Sequence, residues 1–200
     1  MKKNYHHGDL KNALIDASIE ILKSEGYLSL TLRKVAKKAG VSQSAPYRHF
    51  QELEELFAEI ATRGFHMLAD NLNRVREKYE KYPLIQFRES GIKYVEFAIS
   101  NSDLFQIMYG NQIENHSKYM ELSRAENETY QILKRILQDC MKQNLIKKEP
   151  IEKIAMTAWT MVHGVAILII GKHSMFPKTD LKKARYHTKN MIQYLYRGLK

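Results

Sequence analysis

The 200-residue chain is predicted to be all-α, on three observations. Apolar residues recur at helical spacing, as in Leu32, Val35, Ala36 and Ala39, which fall at i, i+3, i+4 and i+7. Helix punctuation follows the amphipathic runs, with Gly26, Gly40 and Pro83 each standing just past one. No stretch alternates convincingly enough for a strand, and there is no internal repeat or low-complexity segment.

The elements follow in order. Asp9 caps a first helix running to about Glu25, with Leu10, Ala13, Leu14, Ala17 and Ile21 as its buried stripe and Gly26 as its stop. A second helix over 32–39 turns its apolar face inward and carries Arg33, Lys34, Lys37 and Lys38 around the rest, with Thr31 as N-cap. Arg33 and Lys34 stand in its first turn, where the helix dipole disfavours cations by roughly 0.3–1 kcal/mol. Fold stability does not explain that placement, whereas attraction to phosphate does. Gly40 is the expected left-handed residue past the helix end, and Val41 closes the small core. Ser42 caps a third short helix that tolerates Pro46 near its first turn.

Three short helices thus make one small domain over residues 1–52, and residues 53–200 make a second, helical one. A long helix from about Leu53 to Lys81 links the two, with Leu56, Phe57, Ile60, Ala61, Met67, Leu68, Leu72 and Val75 as buried candidates. Pro83 separates it from a helix that ends near Ser100. A short apolar segment, Leu104 to Tyr109, precedes helices over about 116–144, 150–172 and 180–199.

Composition bounds the function. Net charge is +10, and residues 1–50 carry nine Lys and Arg against four Asp and Glu, so half of that charge sits in a quarter of the chain. Such a patch favours a polyanion, and by itself it suits DNA, RNA or anionic lipid alike. The longest apolar run, Val165 to Ile170, is far too short to span a bilayer, and the polar N-terminus lacks the apolar core of a secretory signal, so a cytoplasmic location is expected with no membrane partner. Cys140 is the only cysteine, which excludes an intrachain disulfide and a multi-cysteine metal site. No nucleophile elbow, phosphate-cradling glycine loop or metal set is present, and the chain is not expected to be an enzyme or to hold a cofactor.

Residues 32–50, LRKVAKKAGVSQSAPYRHF, are the most informative stretch. Gln43, Ser44 and Tyr47 project from one surface, where amide and hydroxyl groups can meet base edges in a major groove. By spacing alone, a solvated helical hairpin is the other reading. The run YHHGDLKNALIDASIEILKSEGYLSLTLRKVAKKAGVSQSAPYRHF, however, resembles the N-terminal helix-turn-helix domain of TetR-type transcriptional regulators nearly position for position. The resemblance implies that Tyr47 and His49 hold phosphates, Arg33 and Ser42 position the reader, Gln43 and Ser44 read bases, and Phe50 is core. Leu53 departs from the family pattern, which usually has a lysine there, and this puts one of the phosphate contacts that the resemblance implies in question.

A second stretch, AMTAWTMVHGVAILII over 155–170, places Trp159, His163 and Gly164 as in the W-x-x-x-H-G signature of the C-terminal domain in one branch of these regulators, which it resembles. What the resemblance implies is a homodimer through the last two helices, a palindromic double-stranded DNA operator, and repression relieved by a small apolar effector. Candidate lining residues are Phe65, Phe97, Phe105, Met108, Tyr109, Trp159 and His163, each of which is also an ordinary core residue. His163 reads as a hydrogen-bonded core or pocket histidine, since no neighbouring ligand set suits a metal, and His6, His7 and Asp9 match a family opening where none is implied. The alternative is an effector-independent or architectural DNA-binding protein, which shares the motif and needs no pocket.

Overall fold

The computed structural model describes residues 10–171 and 180–200. His6, His7 and the expected cap Asp9 lie outside the described residues. Among the described residues there are eight α-helices and no strand: α1 (Leu10–Glu25), α2 (Leu32–Ala39), α3 (Leu53–Lys78), α4 (Pro83–Ser100), α5 (Ser102–Tyr109), α6 (Met120–Lys142), α7 (Ile151–Ile170) and α8 (Leu181–Leu199). The chain divides into two compact units, the first comprising residues up to Phe65 with Asp103–Arg124 and the second comprising His66–Ser102 with the residues from Ala125 onward.

In the first unit α1 packs on α2. Leu14, Ala17 and Ile21 are buried as the spacing predicts, joined by Ile15, Ser18 and Leu22, so the inward stripe is wider than the sequence suggested. Leu10 and Ala13 are only half-buried. Each fully buried aliphatic side chain contributes about 1.5–3 kcal/mol of transfer free energy. Thr31 caps α2 by accepting from the Lys34 N–H at 3.2 Å. Gly40, at φ 71°, ends it, and Val41 N–H reaches back to the Ala36 carbonyl at 3.0 Å. That backbone conformation is one that glycine adopts without strain.

The unit extends past the 52/53 boundary expected from the sequence because long-range contacts tie residues 103–124 to it. Asp103 Oδ1 accepts from the Tyr27 N–H at 3.0 Å, Tyr119 donates to Glu54 Oε1 at 2.9 Å, and the Phe65 and Tyr109 rings meet edge-on at 5.2 Å.

In the second unit α4 packs against both α7 and α8. The closest approach is at Gly91, where a Cβ would lie 2.6 Å from Ile192 Cδ1 and 3.2 Å from Val162 Cγ1. Arg185 on α8 forks across to α4, with Nη2 2.7 Å from Glu89 Oε2 and Nη1 3.0 Å from Glu96 Oε1. Glu152 on α7 pairs with Lys134 on α6. Asp180 caps α8 by accepting from the Lys183 N–H at 2.8 Å. Helix α7 is 20 residues long and contains an 18-residue window of mean hydropathy 1.6, which is enough in length and composition to cross a membrane. Seven of its residues, Ala155, Ala158, Val162 and Ala166 among them, are buried in the unit's core.

Two boundaries differ from the periodicity. Helix α3 stops at Lys78 rather than near Lys81, because the buried Gln86 amide donates to the Tyr79 carbonyl at 2.9 Å and also lies 3.2 Å from that of Arg76. A side chain from the next helix thereby satisfies carbonyls that would otherwise call for another turn. Helix α6 begins at Met120 instead of His116, since Asn115 Oδ1 accepts from the Ser117 N–H and turns His116–Lys118 into a separate 3₁₀ turn.

Candidate nucleic-acid interface

The segment expected to read DNA departs from expectation in two respects. Residues 42–50 do not form an α-helix but a turn followed by a single 3₁₀ turn, Pro46–Arg48. In an α-helix the Ser42 carbonyl would take the N–H of residue 46, and proline has none. It accepts instead from Ala45 N–H at 3.0 Å, and the tighter pattern continues from Arg48 N–H to the Ala45 carbonyl at 3.2 Å. Ser42 caps no backbone N–H; its hydroxyl lies 3.2 Å from that of Ser44.

Burial sorts this segment cleanly. Ala45, Pro46 and Phe50 are buried, Phe50 to 1% exposure, while Ser42, Gln43, Ser44, Tyr47, Arg48 and His49 all face outward. Tyr47 is 59% exposed. Arg33, on the outward face of α2, donates from Nε to Gln43 Oε1 at 3.1 Å. All six residues expected to touch DNA therefore sit on the exposed surface of one unit. Beside them is a concavity of about 400 Å³ lined by Thr31, Arg33, Lys34, Lys37, Val41 and Gln43.

Sequence reasoning missed part of the electrostatics. Lys34 pairs with Glu25 at 2.7 Å and Lys38 with Glu20 at 2.9 Å, so carboxylates of α1 offset some of the cationic crowding on α2. The Lys34 hydrogen bond and charge hold the Glu25 carboxyl below its ordinary value. At the start of α3, Leu53 is half-buried where the resemblance places a lysine. The positive end of that helix dipole is met by carboxylates, with Glu55 Oε2 accepting from the Gln51 N–H at 2.7 Å. Burial, then the hydrogen bond to Glu54, pushes the Tyr119 phenol up to about 12.

The seven expected effector-lining residues fall into two groups. Phe65, Phe105, Met108 and Tyr109 belong to the first unit, where Tyr109 meets Phe105 at 4.7 Å and a Cβ on Gly64 would lie 2.6 Å from Met108 Sδ. Phe97, Trp159 and His163 belong to the second. There the Trp159 and His163 rings are 5.2 Å apart, Tyr130 meets Trp159 edge-on at 6.5 Å, and Tyr94 Oη lies 2.8 Å from His163 Nδ1. Burial lowers the pKa of His163 and keeps its ring neutral at pH 7. Ser90 Oγ, one turn before Tyr94, and Tyr130 Oη are buried without a hydrogen-bond partner among the described residues. Tyr94, Ser90 and Tyr130 were not foreseen, because nothing local in their sequence marks them. No group of three or more metal-ligating side chains occurs among the described residues.

Comparison with known proteins adds to this geometry. Residues 14–60 match the family model described as bacterial regulatory proteins, tetR family. Residues 87–186 match that described as tetracyclin repressor-like, C-terminal domain. Among solved structures, the chain is similar to a protein of unknown function from Rhodococcus sp. RHA1, at 27% identity over 99% of each chain with a TM-score of 0.82. It shares its fold with FadR from Bacillus subtilis, solved in complex with stearoyl-CoA, at 16% identity over 94% of this chain and 99% of that one, TM-score 0.73. The same fold occurs in the TetR family transcriptional regulator PfmR from Thermus thermophilus, at 16% identity over 94% and 98% of the two chains, TM-score 0.69.

Proposed function

The chain belongs to the tetR family of bacterial regulatory proteins, which makes it a DNA-binding transcriptional regulator and not an enzyme, and we propose that it is a homodimeric repressor released from a palindromic operator by a small apolar effector. The observation that carries this reading is the sorting of residues 42–50 into buried anchors and exposed readers. Tyr47, Gln43 and Arg33 all face outward from one unit, as groups that meet DNA must. Tyr47 and His49 take phosphates, Arg33 and Ser42 position the reader, and Gln43 and Ser44 meet bases.

Dimerisation through α7 and α8 is supported by large apolar side chains left exposed on them: Met156, Tyr186, Met191 and Tyr194. Such a dimer sets two reading heads one helical turn of DNA apart, about 34–36 Å. For the effector, the support is the aromatic grouping around Trp159 and His163 together with the buried, unpartnered hydroxyls of Tyr130, whose ring meets Trp159, and of Ser90, one turn before Tyr94. The stearoyl-CoA held by the Bacillus subtilis neighbour makes acyl compounds the first class to titrate. Moving the regulator from 1:99 to 99:1 in favour of the released state needs about 5.5 kcal/mol of differential effector binding.

The test selects duplexes bound by the full-length protein from a random pool and follows the anisotropy of the enriched duplex. Tyr47→Ala weakens binding to every duplex about equally and leaves the salt dependence, which counts cationic phosphate contacts, unchanged. Acyl-CoAs and free fatty acids release the duplex while quenching or shifting Trp159 emission. Tight duplex binding that ignores every such compound favours the effector-independent regulator instead.

A further inference from the structure

We propose that Arg33 is a positioning residue that decides which base Gln43 reads, leaving the Gln43 amide a donor that selects guanine over adenine. The inference rests on the DNA-reading role given above and goes one step deeper, to the atoms involved. A free glutamine prefers adenine, donating from Nε2 to N7 and accepting from the N6 amino group at Oε1. Here Oε1 is already taken by Arg33 Nε–H at 3.1 Å, a charge-assisted bond that fixes the amide plane and turns Nε2 away from Arg33.

The second lone pair of Oε1 does not restore the adenine pattern. An adenine amino group approaching it would bring its own hydrogens against the guanidinium, which presents only donors. Guanine offers O6 and N7, both acceptors, to the same place. The amide N–H groups and the remaining guanidinium N–H groups therefore face complementary atoms on guanine and one opposing group on adenine. Both side chains are exposed and line the same concavity, so nothing in the protein stands between them and a base edge.

The full-length wild type, Gln43→Ala and Arg33→Met are each used to select duplexes from the same random pool at low salt. The position read by Gln43 is the one whose preference disappears in Gln43→Ala. In the wild type that position is guanine. In Arg33→Met, which keeps the aliphatic stem and frees Oε1, it shifts toward adenine, with the guanine-to-adenine ratio falling at least about fivefold. A purely structural role for Arg33 would change affinity without moving that ratio. Any base other than guanine in the wild type overturns the proposal, as does an unchanged ratio in Arg33→Met. If Arg33→Met retains no duplex, the wild-type base alone decides. A wild type that enriches no duplex at all is a different result, because it removes the DNA-reading role along with the inference.

Discussion

The phenol of Tyr94 on α4 and Nδ1 of His163 on α7 lie 2.8 Å apart, and the ring of Trp159 covers the same imidazole at 5.2 Å. The imidazole can accept from the phenol or donate to it, so the contact suits either charge state, and it is burial that favours the neutral ring.

Stability therefore depends on pH through His163. Its folded pKa lies below the ordinary 6.5, so the unfolded chain takes up the proton first as pH falls. The stabilisation is complete above about pH 6.5 and is lost as pH drops through the folded value. Urea midpoints measured from pH 7.5 to 5.5 fall in the wild type and fall less steeply in His163→Gln. Parallel profiles for the two proteins would remove His163 from the acid response.

Gly64→Ala overpacks the first unit. The new methyl would meet Met108 Sδ at 2.6 Å and Cγ at 2.9 Å, and Met108 is fully buried with no solvent to retreat into. Overpacking of this kind costs about 1–3 kcal/mol. Thermal or urea unfolding checks the cost, and a double-mutant cycle checks its source: in a Met108→Ala background the Gly64→Ala penalty largely disappears. A penalty that persists there would point to the backbone of α3 instead.

Arg185→Ala loosens α8 from α4. Burial alone would raise the Glu96 carboxyl, yet the hydrogen bonds and charges of Lys93 and Arg185 together hold it below 4.5. Because Arg185 is half-exposed, and Glu89 and Glu96 keep Arg88 and Lys93 as partners, the loss at pH 7 is modest, about 1 kcal/mol. It diminishes in 1 M NaCl by screening. It also diminishes as pH falls below about 4.5, since a carboxyl with a lowered folded pKa stabilises only while ionised. Unfolding curves that stay superimposed on the wild type at pH 7 and low salt would show the fork to be without weight.

Much of this molecule was legible in its residues. Thr31, Gly40, Pro83 and Asp180 mark helix ends by chemistry that acts within four residues, and all four mark them in the structure. The exposure of Gln43, Ser44 and Tyr47 followed from the same local spacing. What escaped was either a missing atom or a distant partner. Pro46 was read as tolerable in a helix, whereas its absent N–H diverts the Ser42 carbonyl and tightens the whole turn. Gln86, which ends α3, acts across the bend between two helices. The pairs Tyr27–Asp103 and Tyr94–His163 are separated by 76 and 69 residues, and no periodicity carries information over that distance.

The turn that Pro46 imposes has an evolutionary corollary. Its shape is held by Ala45, Pro46 and Phe50 from beneath, and scarcely at all by the residues that face outward. Positions 42–44 and 47–49 are thus free to drift among side chains without loosening the platform under them. Substitution at a few of these surface positions would change what the turn presents to a partner while the packing beneath it is inherited intact.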